Sequence, residues 1–406
     1  MTSPGASLTA RERMALAMRH READRVPVMC QLALGHYFLH AGLDPVEVWH
    51  DSDVFADALV RLQQRYGFDG ILVNLPGRDP GWRRHVRRVE RAGREQRVHW
   101  HDGLVTVVPD DDNAHVYLPD GHTRCFARFE DVDPAQLYYV DPHDSSGMSW
   151  PWRWGFADTP AARDAFFPPW QGATVRAVRA RAPDVSVHAE VFSPFTQLLE
   201  LIDFENALMA LMDDPEKVEA CLAALTGGTT ELMRILATAG ADAILLSSAF
   251  AGAGFISPAH YRRFVLPFEQ RAIAGFRAAC PDVPVYTHTC GAIGDRLELL
   301  AETGTDGIDT LDPPPLGDVE LDDARRRIGD RLFIKGNIDP VNTLLRGTPA
   351  QVRADAERRL LVAMAGGGYI LSSACSVSPA TPPANILELR AAVDSVGRYI
   401  PREDAS

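Results

Sequence analysis

The stretch YTHTCGAIGD (286–295) carries two potential metal ligands, His288 and Cys290, at the end of an apolar run. Residues i and i+2 of a strand project from the same face, so the two side chains lie together. Cys375 ends a second apolar run. One imidazole and two thiolates suit Zn²⁺, and three protein ligands leave a fourth position open, as in catalytic zinc sites. The alternative is that these cysteines are small buried hydrophobic residues.

Short β-branched runs alternate with helical segments along the chain, which favours parallel strands covered on both sides. Together they predict an α/β fold, a (β/α)₈ TIM barrel, with an open doubly wound sheet as the alternative. In a barrel the active site lies at the C-terminal ends of the strands, where His288, Cys290 and Cys375 fall. The eight predicted strands are 26–33, 68–74, 185–192, 241–249, 283–290, 305–312, 331–338 and 367–375.

More than a hundred residues separate the second and third predicted strands. Two segments there, 97–109 and 115–129, read as hairpin strands, with Asp120-Gly121 at a turn. We predict that 77–180 is an insertion over the barrel mouth and that 1–406 is a single barrel domain. Trp150, Trp152 and Trp154 alternate within the insertion. They either pack it onto the barrel, wall an aromatic substrate or cap a corrinoid.

Composition excludes several functional classes. The 406 residues are 46% hydrophobic and 24% charged, with a formal net charge of −14. Such an acidic chain is a poor partner for nucleic acid or an anionic membrane. No apolar run approaches the roughly 20 residues of a membrane span. The N-terminus has no signal-peptide core and instead predicts a helix capped by Thr9 and Glu12. The six scattered cysteines favour reduced thiols and a cytoplasmic protein.

Motifs along most of the chain resemble the uroporphyrinogen decarboxylase superfamily, and within it the zinc-dependent, corrinoid-linked methyltransferases of the coenzyme M methyltransferase type. The H-x-C pair with a late cysteine is similar to that branch, and the resemblance implies that His288, Cys290 and Cys375 bind zinc. The segments that carry it are RVPV (25–28), EVFSPFT (190–196), MDDPEKV (212–218), GADAILL with ISPAHYRRFVLPF (240–268), HTCG (288–291), GNIDP (336–340) and CSVSPATPPANI (375–386).

The decarboxylase branch is disfavoured by two departures. Its members place an arginine-rich segment after the first strand, whereas this chain reads CQLALGHYF (30–38) there. They also use an aspartate at the end of strand two, where this chain has Val73-Asn74. A decarboxylase of a non-porphyrin acid, acting without metal, stays an alternative. A third possibility is a zinc-stabilised barrel without activity that binds a corrinoid protein or another partner.

The resemblance implies methyl transfer between a corrinoid (methylcobalamin) carrier and a small thiol or methoxy-type substrate, in either direction. The segment DPHDSSG (141–147) departs by one position from the cobalamin-binding D-x-H-x-x-G motif. The cobalamin is therefore expected on a partner protein or as free cofactor, with tetrahydrofolate as an alternative methyl carrier. The sequence predicts neither the substrate nor the oligomeric state.

Other polar residues fall near the ends of predicted strands. Glu190 could be a fourth zinc ligand, an acid–base group for the substrate or a hydrogen-bonded carboxylate. Asn337 could donate a hydrogen bond to the substrate. Tyr286 shares a strand face with His288 and is either a substrate contact or a core residue. His36 follows the first strand and is a further candidate for substrate binding.

Overall fold

The computed structural model describes residues 8–122, 126–145 and 155–399. Cys125 and the three tryptophans of the predicted insertion, Trp150, Trp152 and Trp154, lie outside these residues. Among the described helices, none is both long and apolar enough to cross a bilayer.

The strands are β1 (Gly70–Val73), β2 (Val86–Ala92), β3 (Glu95–Trp100), β4 (Val105–Pro109), β5 (His115–Tyr117), β6 (Ser186–Phe192), β7 (Ala243–Ser247), β8 (Val285–Thr289), β9 (Gly307–Thr310), β10 (Phe333–Ile338) and β11 (Tyr369–Ser373). The α-helices are α1 (Ala10–Ala17), α2 (Leu34–His40), α3 (Pro45–His50), α4 (Ser52–Tyr66), α5 (Pro142–Ser145), α6 (Pro160–Asp164), α7 (Ala173–Arg181), α8 (Pro194–Ile202), α9 (Phe204–Asp213), α10 (Pro215–Thr238), α11 (Pro258–Phe264), α12 (Leu266–Ala279), α13 (Leu297–Glu302), α14 (Leu321–Ile328), α15 (Pro349–Ala363) and α16 (Pro383–Val396). Short 3₁₀ turns span Trp82–His85, Phe129–Asp131 and Pro134–Gln136, and a π-helical turn spans Pro340–Leu345.

Seven strands form one parallel sheet in the order β1-β6-β7-β8-β9-β10-β11. Helices lie between successive strands, which is the βα alternation that the sequence predicts. Each strand falls within one of the predicted runs, so seven of the eight predicted strands are confirmed. Because all seven run in the same direction, their C-terminal ends meet at one edge of the sheet.

The first predicted strand, 26–33, is wrong as a regular strand. It makes only isolated parallel bridges, Val28 with Leu371 and Leu32 with Val377. Two features explain this. Proline at position 27 has no N–H to donate, and the Val28 N–H donates to the Asp69 carboxylate at 2.8 Å rather than to a neighbouring strand. The described sheet therefore has seven regular strands, not eight, and the segment 26–33 lies beside β11 as an irregular extended stretch.

The two faces of the parallel strands pack into different cores. Residues such as Ile71, Val187 and Ile308 belong to the large core that includes the surrounding helices. Alternate residues, facing the other way, form a small separate core with side chains of α1. The capping box predicted for α1 is present, with Glu12 N–H donating to Thr9 Oγ1 and Thr9 N–H to the Glu12 carboxylate. The small core comprises Met14, Ala17, Met18, Met29, Leu72, Ala243, Leu245, Tyr286, Phe333 and Ile370.

The chain between β1 and β6 contains a second, antiparallel sheet in the order β2-β3-β4-β5. β3 and β4 form the first predicted hairpin, and Gly121 adopts φ +87° at the predicted Asp120-Gly121 turn. β2 was not predicted because its sequence, VRRVERA, is charged and exposed. α7 begins inside the range 77–180 and ends one residue beyond it, and it packs against α4. The bounds of the insertion and its position over the mouth stay predictions.

Candidate metal centre

Three of the predicted site residues come together at the C-terminal edge of the parallel sheet. The His288 ring and the Cys290 and Cys375 thiols offer three ligand atoms that all lie within 4.8 Å of one another. His288 Nε2 lies 3.1 Å from Cys290 Sγ, and Cys290 Sγ lies 3.6 Å from Cys375 Sγ. This S···S separation is far longer than the roughly 2 Å of a disulfide bond. Both cysteines are free thiols.

The turn after β8 directs Cys290 into this cluster. Gly291 adopts φ +77°, a conformation that side-chain-bearing residues disfavour, and its N–H donates to Asp312 Oδ2 at 2.7 Å. The neighbouring loop approaches closely, because a Cβ on Gly252 would lie 2.5 Å from the Cys290 carbonyl oxygen. Burial raises the pKa of Asp312 to about 6, although the Gly291 N–H acts in the opposite direction. The glycine and the carboxylate together fix where β8 ends.

Cys375 lies two residues beyond the end of β11. Ala374 N–H donates to the Ile338 carbonyl at 2.7 Å, which ties the end of β11 to the end of β10. Val377 N–H donates to the Gln31 carbonyl at 2.8 Å, which anchors the following turn to the segment 26–33. Cys290 and Cys375 are half-buried, whereas His288 is buried. The cluster is thus accessible from its sulfur side.

A row of charged residues on adjacent strands orients His288. Its Nδ1 lies 3.0 Å from Thr310 Oγ1 and 3.3 Å from Asp309 Oδ2. The other Asp309 oxygen accepts a hydrogen bond of 2.9 Å from Lys335 Nζ. His288, Asp309 and Lys335 are 4%, 2% and 1% exposed. The row holds the ring so that Nε2 faces the thiols, which is how carboxylates orient metal-binding histidines.

The cluster also shifts the pKa values of its two thiols in opposite directions. The hydrogen bond with Cys290 and the adjacent His288 ring lower the pKa of the Cys375 thiol well below its usual value, against the effect of burial. The same hydrogen bond and burial raise the pKa of Cys290. Burial alone would lower the pKa of His288, but Cys290 and Asp309 raise it. The arrangement therefore favours ionisation of Cys375 over that of Cys290.

Glu190 lies outside this three-residue group. It is on β6, and burial raises the pKa of its carboxyl group, opposed by the nearby His288 and His143. Glu190 lines a cavity together with His143 and Asp141 from the chain between β5 and β6. His143 Nδ1 is 3.1 Å from Asp141 Oδ1. The structure thus brings an acid–base pair from that segment next to the carboxylate predicted from the sequence.

The remaining predicted residues are already engaged by protein groups. Asn337 Nδ2 donates to the Leu311 carbonyl at 2.8 Å, and its Oδ1 accepts from Arg359 on α15. The buried Tyr286 hydroxyl lies 2.9 Å from His188 Nδ1. Both ring nitrogens of His36 have partners, the Pro379 carbonyl at 3.1 Å and the Tyr66 hydroxyl at 2.8 Å. Substrate binding by these three residues stays a prediction.

Sequence reasoning missed Asp309, Lys335, Asp312 and His143. Asp309 and Lys335 occur inside fully buried strands, GIDT and FIKGNI. A charged residue in a buried strand is a signal, because it requires a partner or a function. In the sequence, the segment containing His143 resembles only a cobalamin motif with one position out of place. Its contact with β6 follows from packing between distant parts of the chain.

The sequence model of the uroporphyrinogen decarboxylase (URO-D) family matches residues 161–396. A uroporphyrinogen decarboxylase from Nitrosospira multiformis is 30% identical over 223 residues, which cover 52% of this chain and 58% of that protein. The methylcobamide:CoM methyltransferase MtaA of Methanosarcina barkeri is 29% identical over 221 residues, covering 54% and 61%. The chain therefore spans less than two thirds of the length of either relative.

A solved structure shares the fold over nearly the whole chain. It is a methyltransferase from Methanosarcina mazei with a TM-score of 0.67 and 19% sequence identity. The match covers 96% of this chain and 99% of the other. At this identity the likeness establishes the arrangement of strands and helices, and the chemistry has to be argued from the residues of this chain.

Proposed function

We propose that this chain, which belongs to the uroporphyrinogen decarboxylase family, is a zinc-dependent methyltransferase of that family. It would move a methyl group between a corrinoid carrier, on a partner protein or free, and a small thiol or methoxy-type substrate. The observation that carries the proposal is the convergence of His288, Cys290 and Cys375 from two different strand ends. The likeness to a methylcobamide:CoM methyltransferase supports the same reading. Tetrahydrofolate stays the alternative methyl carrier, and a cytoplasmic location stays a prediction.

The donor set fits a zinc ion. With Zn–S bonds of about 2.3 Å, tetrahedral geometry separates two thiolate sulfurs by about 3.8 Å. Cys290 Sγ and Cys375 Sγ are 3.6 Å apart without any movement. His288 presents Nε2 because Asp309 and Thr310 occupy the Nδ1 side. Three protein ligands on a half-exposed cluster match a catalytic site with one open position better than a closed structural site.

When bound, zinc would lower the pKa of a coordinated thiol so that it is a nucleophile at neutral pH. The chain's own residues have separate tasks. Asp309, held by Lys335, keeps the His288 ring oriented. Glu190 faces the cavity beside the cluster, and burial raises the pKa of its carboxyl group, so it is the candidate to hold or release a proton at the substrate. Its role as a fourth ligand is the alternative.

A decarboxylase acting on a non-porphyrin acid is the second candidate. Several of the similar proteins are uroporphyrinogen decarboxylases, among them the one that is 30% identical. However, no lysine or arginine is among the described residues that line the cavity beside Glu190. An acid substrate would meet Glu190 and Asp141 there instead of a cation. This charge distribution favours the methyltransferase.

Two measurements on one preparation test the proposal. Metal analysis of the purified protein is expected to give about one zinc per chain. The protein should then consume methylcobalamin in the presence of a small thiol. Cys375→Ala should lose both the zinc and the turnover. Cys280→Ala is the matched control, because Cys280 is a free cysteine at the end of α12 and outside the cluster. A zinc content near zero, or full turnover by Cys375→Ala, would overturn the proposal.

A further inference from the structure

A cavity beside the metal centre lies between β6, the end of β1 and the chain between β5 and β6. Its space amounts to about 380 Å³ when the open side is included, but the centre of a water molecule can reach only about 20 Å³ of it. A ligand of a few heavy atoms therefore suits it. We call it the oxygen-lined cavity. The residues that define it are Asn74, Asp141, His143, Gln171, Thr174 and Glu190.

Two deeply buried polar residues of this cavity have no partner for one side-chain atom. Gln171 is 3% exposed and Thr174 is 1% exposed. Among the described residues, neither Gln171 Oε1 nor Thr174 Oγ1 has a hydrogen-bond partner. Asn74 Oδ1, at the end of β1, is a third such atom. A buried polar atom without a partner costs about 1–3 kcal/mol. Three of them around one cavity indicate a ligand that supplies the missing hydrogen bonds.

The charges around the cavity restrict what that ligand can be. Glu190 and Asp141 contribute carboxylates, and His143 is paired with Asp141. The described lining contains no lysine or arginine. A carboxylate or sulfonate would lose its hydration and find no lysine or arginine among the described lining residues, whereas an ammonium or hydroxyl group would find oxygen acceptors.

We infer that the oxygen-lined cavity is the substrate pocket of the metal centre and takes a small neutral or cationic molecule that donates hydrogen bonds, not a carboxylate or sulfonate. Its role as a substrate pocket rests on the proposed function. Its preference for one class of ligand rests only on Glu190, Asp141, Gln171 and Thr174. Glu190 connects the two regions, because it lines the cavity and lies, like His288, near the C-terminal end of its strand in the same parallel sheet.

Three probes of similar size test the preference without turnover: 2-methoxyethylammonium, 2-methoxyethanol and methoxyacetate. They share the methoxy group and differ in the charge of the other end. Titration calorimetry on the zinc-loaded protein should give the tightest binding for the ammonium and the weakest for methoxyacetate. The dissociation constants of these two should differ at least about tenfold, because the anion loses its hydration without gaining a lysine or arginine partner among the described lining residues. Zinc-free Cys375→Ala should keep the same order.

Substitutions of residues that line the cavity test whether the probes bind there. Thr174→Val removes the unpartnered hydroxyl at nearly constant volume and should weaken binding of 2-methoxyethanol several-fold. Thr226→Val is the matched control, because Thr226 is a buried helical threonine whose hydroxyl donates to the Leu222 carbonyl. It should leave probe binding unchanged. Glu190→Gln should remove most of the preference for the ammonium over the alcohol.

Methoxyacetate binding as tightly as the ammonium, or no binding of any probe, would overturn the inference. An equal loss in Thr174→Val and Thr226→Val would do the same. These outcomes differ from failure of the proposed function, which shows as absent zinc or absent consumption of methylcobalamin. A protein that demethylates methylcobalamin but prefers methoxyacetate would retain the proposed function and contradict only the substrate class.

Discussion

Tyr286 and His288 are two residues apart on one face of β8, yet they lie in different environments. Tyr286 belongs to the small apolar core, where its ring lies 5.6 Å from that of Phe333. His288 faces two thiols, a carboxylate and a hydroxyl. The same seven strands thus enclose an apolar half, covered by α1, and a polar half at their C-terminal ends. The apolar half thus contributes packing to the sheet, and the candidate metal centre lies in the other half.

Burial has opposite consequences in the two halves. In the apolar half, side chains such as Met14 and Phe333 are removed from water, which stabilises the fold in proportion to area. In the polar half, Lys335 and Asp309 are equally buried, but desolvation offsets most of their attraction. The row Lys335–Asp309–His288 is therefore better explained by its positioning of the imidazole than by stability.

Phe333→Ala should give the largest loss of stability. Its ring is fully buried and packs directly on Gly307, where an added Cβ would lie 2.4 Å from the ring. Removing it leaves a cavity and should lower the free energy of unfolding by about 3–5 kcal/mol in urea titrations. Zinc content of the folded protein should not change. Leu361→Ala, at a residue that is 69% exposed, is the control. A loss below about 1 kcal/mol would contradict a separate apolar half.

Asp309→Asn should have two separate effects in the polar half, one on zinc affinity and one on stability. Zinc affinity should fall about 10- to 100-fold, because the ring of His288 loses the carboxylate that orients it. The metal-free protein should also lose about 3 kcal/mol, because Lys335 is left buried without a countercharge. Chelator competition measures the first effect and urea unfolding the second.

The double variant Asp309→Asn with Lys335→Met separates these two effects. It removes both members of the buried pair, so stability should largely return. Zinc affinity should stay low, because His288 still lacks its carboxylate partner. Recovery of both quantities would mean that Asp309 influences zinc only through the stability of the fold.

Glu269 on α12 provides a contrast with Asp309, because this buried carboxyl group forms no salt bridge within the described part of the chain. Its Oε2 accepts a hydrogen bond of 3.5 Å from Tyr261, and burial raises its pKa to about 7. The folded protein therefore keeps this proton while the unfolded chain loses it above about pH 4.5. Stability should fall as the pH rises from about 4.5 to 7.

Glu269→Gln tests this sign, because glutamine keeps the shape and cannot ionise. The variant should be more stable than the wild type by up to about 3 kcal/mol at pH 8, and the gain should vanish near pH 4.5. Urea unfolding at the two pH values measures it. A gain of equal size at both values would contradict the titration of Glu269.

The strands could be read from the sequence because their signal is local. Seven apolar runs with helices between them give seven strands, and His288, Cys290 and Cys375 follow from where those runs end. The segment 26–33 is not a regular strand, because Pro27 has no N–H to donate and the Val28 N–H donates to Asp69, 41 residues away. The oxygen-lined cavity was missed for the same kind of reason, since His143, Gln171 and Glu190 lie on separate segments that only folding brings together. Polar contacts between distant segments produce no periodic pattern of residues, so the sequence alone does not reveal them.

Tyr286→Phe should produce the smallest effect and marks the boundary between the two halves. The Tyr286 hydroxyl is 2.9 Å from His188 Nδ1, and His188 Nε2 is 3.0 Å from Ser186 Oγ. Burial lowers the pKa of His188 to about 3, so the ring is neutral and needs one donor and one acceptor. Losing the hydroxyl should lower the free energy of unfolding by about 1–2 kcal/mol and leave KM unchanged. A raised KM at unchanged stability would mean that substrate reaches Tyr286, and the division between an apolar and a polar half would then fail at this residue.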